Sequence, residues 1–280
     1  MKCARPIVRY HGGKWRLADW IISHFIPHRV YIEPFGGAAS VLLKKQRSYA
    51  EVYNDLDGEI VNLFSVMRDR GGELKEKILL TPFARSEFLE AWNPSTDPME
   101  QARRTLIRGY MGFGSAAVTK GRSSNNTSRG GLAHTGFRAN SNRSGTTPAI
   151  DWRNYPKHMD AIIERLRGVV IENKDAKEIM LQHDCDDALH YVDPPYVQST
   201  RDSSGDDYAH EITDQDHIDL AAFLKELKGT VILSGYDSEI YNELYSEWKQ
   251  VRKNAFADGA RSRVEVLWIR GDVRQQAMAI

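Results

Sequence analysis

The stretch from Tyr31 to Ser40, "YIEPFGGAAS", decides how this chain folds. A strand-like run, VYIE (30–33), ends in an acid; a proline, two glycines and small residues follow before the helix-like AASVLLKKQ. In a doubly wound sheet, glycines at such a turn let the backbone approach a ligand at the carboxyl end of the strand. Nineteen residues beyond Gly36 stands Asp55, at the end of the next β-type run, AEVYN (50–54). An acid at that spacing is where nucleotide folds bind a ribose hydroxyl pair, although an ordinary helix cap uses the same residue type. The GxGxxG register is missing, so an adenosine-type cofactor is more economical than a dinucleotide.

Working outward, continuous apolar runs recur at VVIEN (169–173), ALHYVD (188–193), TVILSG (230–235) and VEVLWI (264–269). A helix-like stretch, DQDHIDLAAFLKELK, follows Thr213, with Asp216 at capping spacing. Buried strands alternating with helices predict a mainly parallel α/β sheet covered on both faces. With 280 residues and 41% hydrophobic content, the chain can bury one sizeable core and carry a small insertion. Cys3 and Cys185 make no disulfide framework, MKCARPIVRY has no signal-like apolar core, and no eighteen apolar residues run together. These features predict a cytosolic protein without a membrane partner.

Acids and bases balance at 38 each, so net charge points to no partner, but their distribution is uneven. Residues 101–150 contain no Asp or Glu and eight cations: Arg103, Arg104, Arg108, Lys120, Arg122, Arg129, Arg138 and Arg143. The second half of this segment is rich in Ser, Thr, Asn and Gly, too polar to bury a core of its own. It is either a solvated surface loop or a segment laid against phosphates, and the absence of acids favours the second. Arg108, Lys120, Arg122, Arg129, Arg138 and Arg143 are the candidate contacts. In DWRNYP, Trp152 and Tyr155 are either core anchors where the segment rejoins the domain or base-stacking rings.

Near the start, RYHGGKWRLADWI (9–21) lacks the GxxxxGK[ST] pattern of a phosphate loop. Either its glycines form a tight turn before a helix from Trp15, or Tyr10 and Lys14 close over a cofactor. The stretch YVDPPY (191–196) ends a strand with an acid, two prolines and a ring. The prolines stop the strand ladder and leave the Pro194 carbonyl without a strand partner beside the Asp193 carboxyl. Two adjacent acceptors suit the two N–H groups of an exocyclic amine, and Tyr196 can stack on the ring that carries it, worth about 1–3 kcal/mol. No HExxH or CxxC spacing occurs, and His24 and His28 lack a third partner, so no metal is expected.

The ordered set HGGK, EPFGGAAS, NDLD and DPPY resembles the Dam-type adenine-specific DNA methyltransferases, phage-borne members especially. The resemblance implies a Rossmann-like fold dependent on S-adenosylmethionine (SAM), with an inserted basic target-recognition segment. Residues 1–82 and 157–280 would form the methyltransferase domain and 83–156 the insertion. SAM would lie across Glu33, Phe35, Gly36 and Gly37, with Asp55 on its ribose, Asp175 on its adenine, and Tyr10, Lys14 and Asp193 alongside. Tyr10 stands where the family often has Trp. Asp193, Pro194 and Tyr196 would act on an adenine flipped from double-stranded DNA, without a metal, and loop 197–211 would order over it. Related enzymes acting on protein glutamine tend to begin the tetrapeptide with Asn, and Asp193 argues against that substrate.

Overall fold

A computed structural model describes residues 2–114, 118, 136–139, 146–197, 212–256 and 262–271. Its described strands are β1 (Val30–Glu33), β2 (Ala50–Asn54), β3 (Val169–Glu172), β4 (Ala188–Val192), β5 (Thr230–Tyr236), β6 (Lys249–Phe256) and β7 (Ser262–Arg270). They form one sheet in the order β3-β2-β1-β4-β5-β7-β6. The five strands from β3 to β5 in that order run parallel, whereas β7 is antiparallel to both β5 and β6. The chain therefore winds outward from β1 in one direction and from β4 in the other. The crevice between the carboxyl ends of β1 and β4 is the topological switch point, where open α/β sheets hold their ligands.

Alternation along the strands divides the interior into two layers. Tyr31, Tyr53, Leu189 and Tyr191 face one core. There they meet α2 (Ser40–Lys44), α3 (Gly58–Asp69) and α8 (Pro156–Leu166), through Leu42, Phe64 and Ile162 among others. Ile32, Val52, Val192 and Leu233 face the other, against α9 (Ala176–His183), α10 (Asp214–Glu226) and α11 (Glu239–Leu244). The expected cap of α10 is present: Thr213 accepts from the Asp216 N–H, and Asp216 accepts from the Thr213 N–H. The first helix, α1 (Ala18–Ile22), begins three residues later than Trp15, after a turn in which the Leu17 and Ala18 N–H groups donate to the Lys14 carbonyl.

The basic segment does not stand apart from this core. Its first residues belong to α6 (Pro98–Met111), which packs beside α4 (Gly71–Leu80) and α5 (Arg85–Glu90). Leu106, Ile107, Tyr110, Trp152 and Tyr155 lie in the same cluster as the sheet residues. Trp152 opens no stacking face, since it is buried in α7 (Pro148–Asn154) and its Nε1–H donates 2.8 Å to the Thr81 carbonyl. Trp152 and Tyr155 are thus core anchors.

Candidate active site

After β1 the chain makes a turn that only small residues allow. The Gly36 N–H donates to the Asn54 carbonyl at 2.8 Å, and a Cβ there would lie 2.1 Å from Tyr53 Cε2. Gly37 has φ +46°, in the left-handed region where a side chain is strained, and its nearest neighbour is the Tyr10 ring. Asp55 fixes this turn from β2: its Oδ2 accepts from the Gly37 N–H at 2.7 Å and its Oδ1 from the Asp57 N–H at 2.8 Å. The N-cap of α3 is Asp57, which accepts from the Glu59 N–H, so Asp55 is not the ordinary helix cap.

A cleft opens at this turn. Tyr10, Lys14, Glu33, Phe35, Gly36, Gly37, Asp55 and Asp193 all line it, together with Leu56, Ala176, Tyr191, Pro195 and Ile212. Of the sequence-predicted cofactor residues only Asp175 stands outside. It caps α9 through Oδ1, which accepts from the N–H groups of Lys177 and Glu178, one residue before the cleft-lining Ala176. On the cleft floor, Glu33 accepts from the Tyr31 hydroxyl at 2.7 Å and the Leu42 N–H at 3.0 Å. Burial pushes its carboxyl up to about 8, against these two hydrogen bonds and with help from nearby Asp193.

The opposite wall includes the end of β4, backed by residues of β5 and β7. Asp193 follows β4; its Oδ1 accepts from Ser234 Oγ at 2.7 Å, and its Oδ2 lies 3.0 Å from Lys14 Nζ. Ser234 in turn meets the Tyr191 hydroxyl at 3.0 Å. Among the described residues no hydrogen bond ends on the Pro194 carbonyl, so it retains the acceptor capacity expected of it. Lys14 also donates to the Gly12 carbonyl and lies 3.8 Å from Glu265 Oε1. Its ammonium is therefore held against Asp193, Glu265 and the Gly12 carbonyl.

Tyr196 is more enclosed than expected of an open stacking platform: it is 5% exposed. Its hydroxyl donates to Glu265, Tyr236 meets the ring edge-on at 4.6 Å, and Lys14 Nζ lies 4.6 Å from its centroid. Burial, Asp193 and Glu265 all push the phenol well above its ordinary value. Burial likewise raises the Glu265 carboxyl, with Lys14 opposing. Ser234 and Glu265 had no motif to reveal them. The signal was strand register, since β7 places Glu265 opposite Tyr236 and β5 places Ser234 beside the end of β4.

One predicted phosphate contact is corrected. Arg108 is 2% exposed, pairs with Glu59 and lies over the Trp92 ring, so its charge is spent inside the protein. Arg103 is held by Glu87 and Glu100, and Arg104 by Glu90 and Glu100. Arg138 is half-buried, with Nη1 3.3 Å from the Tyr110 carbonyl. Lys120, Arg122, Arg129 and Arg143 lie outside the described residues, as does 198–211 of the loop expected to order over the base. Among the described residues no cluster of His, Cys, Asp and Glu could hold a metal, and no helix is long and apolar enough to cross a membrane.

A sheet of this order, with a glycine turn after β1 and Asp-Pro-Pro-Tyr after β4, defines a Rossmann-like methyltransferase. More narrowly, residues 10–257 match the D12 class of N6 adenine-specific DNA methyltransferases, and the chain belongs to that family. It is 26% identical to the type II methyltransferase M1.LlaDCHI of Lactococcus lactis subsp. cremoris, over 93% of each chain. It is 23% identical to the DNA adenine methylase of Escherichia coli K12, over 95% of each. A DNA adenine methylase of Serratia marcescens is 30% identical across 40% of this chain and 42% of its own.

Proposed function

We infer that this DNA adenine methyltransferase transfers a methyl group from SAM to N6 of an adenine flipped out of double-stranded DNA, and that the cleft between β1 and β4 is where it does so. One observation carries the reading. The Asp193 carboxylate and the Pro194 carbonyl stand at the end of β4, and Asp193 lines the same cleft as the glycine turn, Glu33 and Asp55. The donor set fits SAM. Asp55 stands at a backbone turn suited to a ribose, Glu33 offers a buried carboxyl toward a cationic methionine group, and the Tyr10 ring lies over Gly37. When bound, SAM would supply an electrophilic methyl group on a positively charged sulfur.

The residues of the chain do the rest. N6 of adenine is a poor nucleophile because its lone pair is delocalised into the ring. Acceptors at Asp193 and Pro194 would hold its two N–H groups, draw it toward tetrahedral geometry and stabilise the positive charge that develops on it. Ser234 keeps the Asp193 carboxylate oriented. Flipping the base costs a few kcal/mol, which stacking on the Tyr196 ring would offset. Asp175, with both capping bonds on Oδ1, would meet the cofactor's adenine through its other oxygen.

Within 83–156, α5, α6 and α7 share the main core, so we assign DNA recognition to the part between α6 and α7, with Lys120, Arg122, Arg129, Arg138 and Arg143 as the phosphate contacts. The protein would work in the cytosol on chromosomal or phage DNA. The test supplies methyl-labelled SAM with unmethylated duplex DNA, single-stranded DNA and RNA in separate reactions, and digests the products to nucleosides. Label in N6-methyladenine from duplex DNA is the expected result. Label confined to RNA, or to a base other than adenine, would overturn it.

A further inference from the structure

Glu265 is the least expected residue of the site. It is 2% exposed on β7, in a strand whose next three residues, Val266, Leu267 and Trp268, are all fully buried apolar side chains. A carboxyl placed there loses its hydration and gains stability only through good partners, and an apolar residue of similar volume would cost the fold less. Its partners belong to the site. The Tyr196 hydroxyl donates to it, and Lys14 Nζ, which contacts Asp193 Oδ2 at 3.0 Å, lies 3.8 Å away. The register that places Tyr236 opposite Glu265 also sets the Tyr236 ring edge-on to Tyr196. The Tyr196 ring is thus clamped at its hydroxyl by one strand and along its side by the next.

We propose that Glu265 is a positioning residue for methyl transfer: it fixes the Tyr196 ring in the orientation that receives the target base and, with Asp193, holds the Lys14 ammonium beside that ring. This rests on the reading of Tyr196 and Asp193 as the base-binding and catalytic residues. Without this acceptor the phenol loses the hydrogen bond to β7 that fixes its direction, and its ring can turn or shift. A stacking surface that moves no longer meets the base face to face. On the cofactor side of the cleft, Gly36, Gly37, Glu33 and Asp55 make none of these contacts, and Lys14 is the one proposed cofactor residue that lies against Glu265.

The test compares Glu265→Leu, Glu265→Gln and Tyr196→Phe by steady-state methyl transfer to bulk unmethylated DNA, with cofactor binding measured separately by the SAM-induced rise in Tm. Glu265→Leu should lower kcat/KM for DNA on the order of tenfold, the cost of one lost buried hydrogen bond. Its SAM affinity should change less than its kcat/KM for DNA, because Lys14 is the one proposed cofactor residue beside Glu265. Glu265→Gln keeps an acceptor oxygen for the Tyr196 hydroxyl and should recover most of the loss. Tyr196→Phe, which removes the same hydrogen bond from its other end, should lower kcat/KM to a similar degree, and the double variant should be no worse than Glu265→Leu alone. If Glu265→Leu yields no folded protein, Glu265→Asp, which withdraws the oxygens by one methylene, takes its place in the comparison. Wild-type kcat/KM in the Leu or Asp variant, or losses that multiply in the double variant, would overturn the proposal. Asp193→Ala run in parallel separates the two claims. If it abolishes transfer while the Glu265 variants behave as wild type, only the role of Glu265 falls; if it leaves transfer intact, the reading of the whole site falls.

Discussion

The cleft between β1 and β4 and the basic segment are specified by the sequence in different ways. The cleft is specified by backbone requirements: a residue without Cβ at Gly36, a left-handed residue at Gly37, and two prolines that end β4. Such demands are local, so the motif fixes the position. The basic segment is specified only by composition, which counts charges without saying where they are spent. Three of its eight cations, Arg103, Arg104 and Arg108, meet acids contributed by Glu59, Glu87, Glu90 and Glu100. Glu100 stands one residue before the acid-free stretch begins. The cation excess over 101–150 is therefore neutralised at its helical end, and the proposed DNA contacts are Arg138 and the four cations outside the described residues.

If local backbone demands set the cleft apart, Gly36 is where they should show most. Its neighbour Tyr53 is stacked on Phe64 at 4.3 Å and donates its hydroxyl to the Gly37 carbonyl, so it has nowhere to retreat. Gly36→Ala should cost about 3 kcal/mol or more in urea unfolding. Gly72→Ala, in a helical position where a Cβ would meet nothing within 4 Å, should leave stability unchanged or slightly raised. Equal effects would mean that the turn is not sterically defined.

Glu33 gives an effect of similar order. Between its ordinary 4.5 and the value of about 8 that burial imposes, the folded chain binds more proton than the unfolded chain. Stability of the cofactor-free protein should therefore fall as pH rises through that window, by on the order of 5 kcal/mol, and be insensitive to this group below it. Glu33→Gln should flatten the dependence in thermal melts recorded from pH 5 to 8. An unchanged slope would place the dependence on another group.

Arg108 and the loop cations should separate cleanly. Arg108→Met leaves Glu59 without its buried partner and should cost about 2 kcal/mol of stability, while leaving the salt dependence of DNA binding as it was. Replacing Arg122 and Arg129 by Ala should do the reverse, with stability unchanged and the slope of log affinity against log salt reduced by about 0.9 for each phosphate no longer neutralised. With all five remaining cations on phosphates, wild-type affinity should fall about five-hundredfold between 50 and 200 mM salt. A smaller slope in Arg108→Met would return that residue to the interface.

Six of the seven described strands were legible because they are short apolar runs bounded by turn residues. The seventh, KQVRKNAF of β6, was not, since an edge strand with polar side chains carries no continuous apolar signal. The residues that line the cleft at this turn were legible for the same local reason. Ser234, Tyr191 and Glu265 were hidden because their roles arise from pairing across β4, β5 and β7, and register between distant strands is not written in any one of them. Tyr196 was found by its motif, yet its enclosure by Glu265, Tyr236 and Lys14 is a tertiary fact that the tetrapeptide does not contain.

The most direct test of the central claim is single-turnover methyl transfer by Asp193→Ala at saturating SAM and duplex DNA. Saturation removes binding from the comparison and leaves only the acceptor that Asp193 offers the amino group. The expected result is a loss of about a hundredfold or more, the cost of removing one preorganised stabilising group from a reaction centre, with the SAM-induced rise in Tm still present. Transfer within a fewfold of wild type would contradict the account and remove the chemistry from the end of β4.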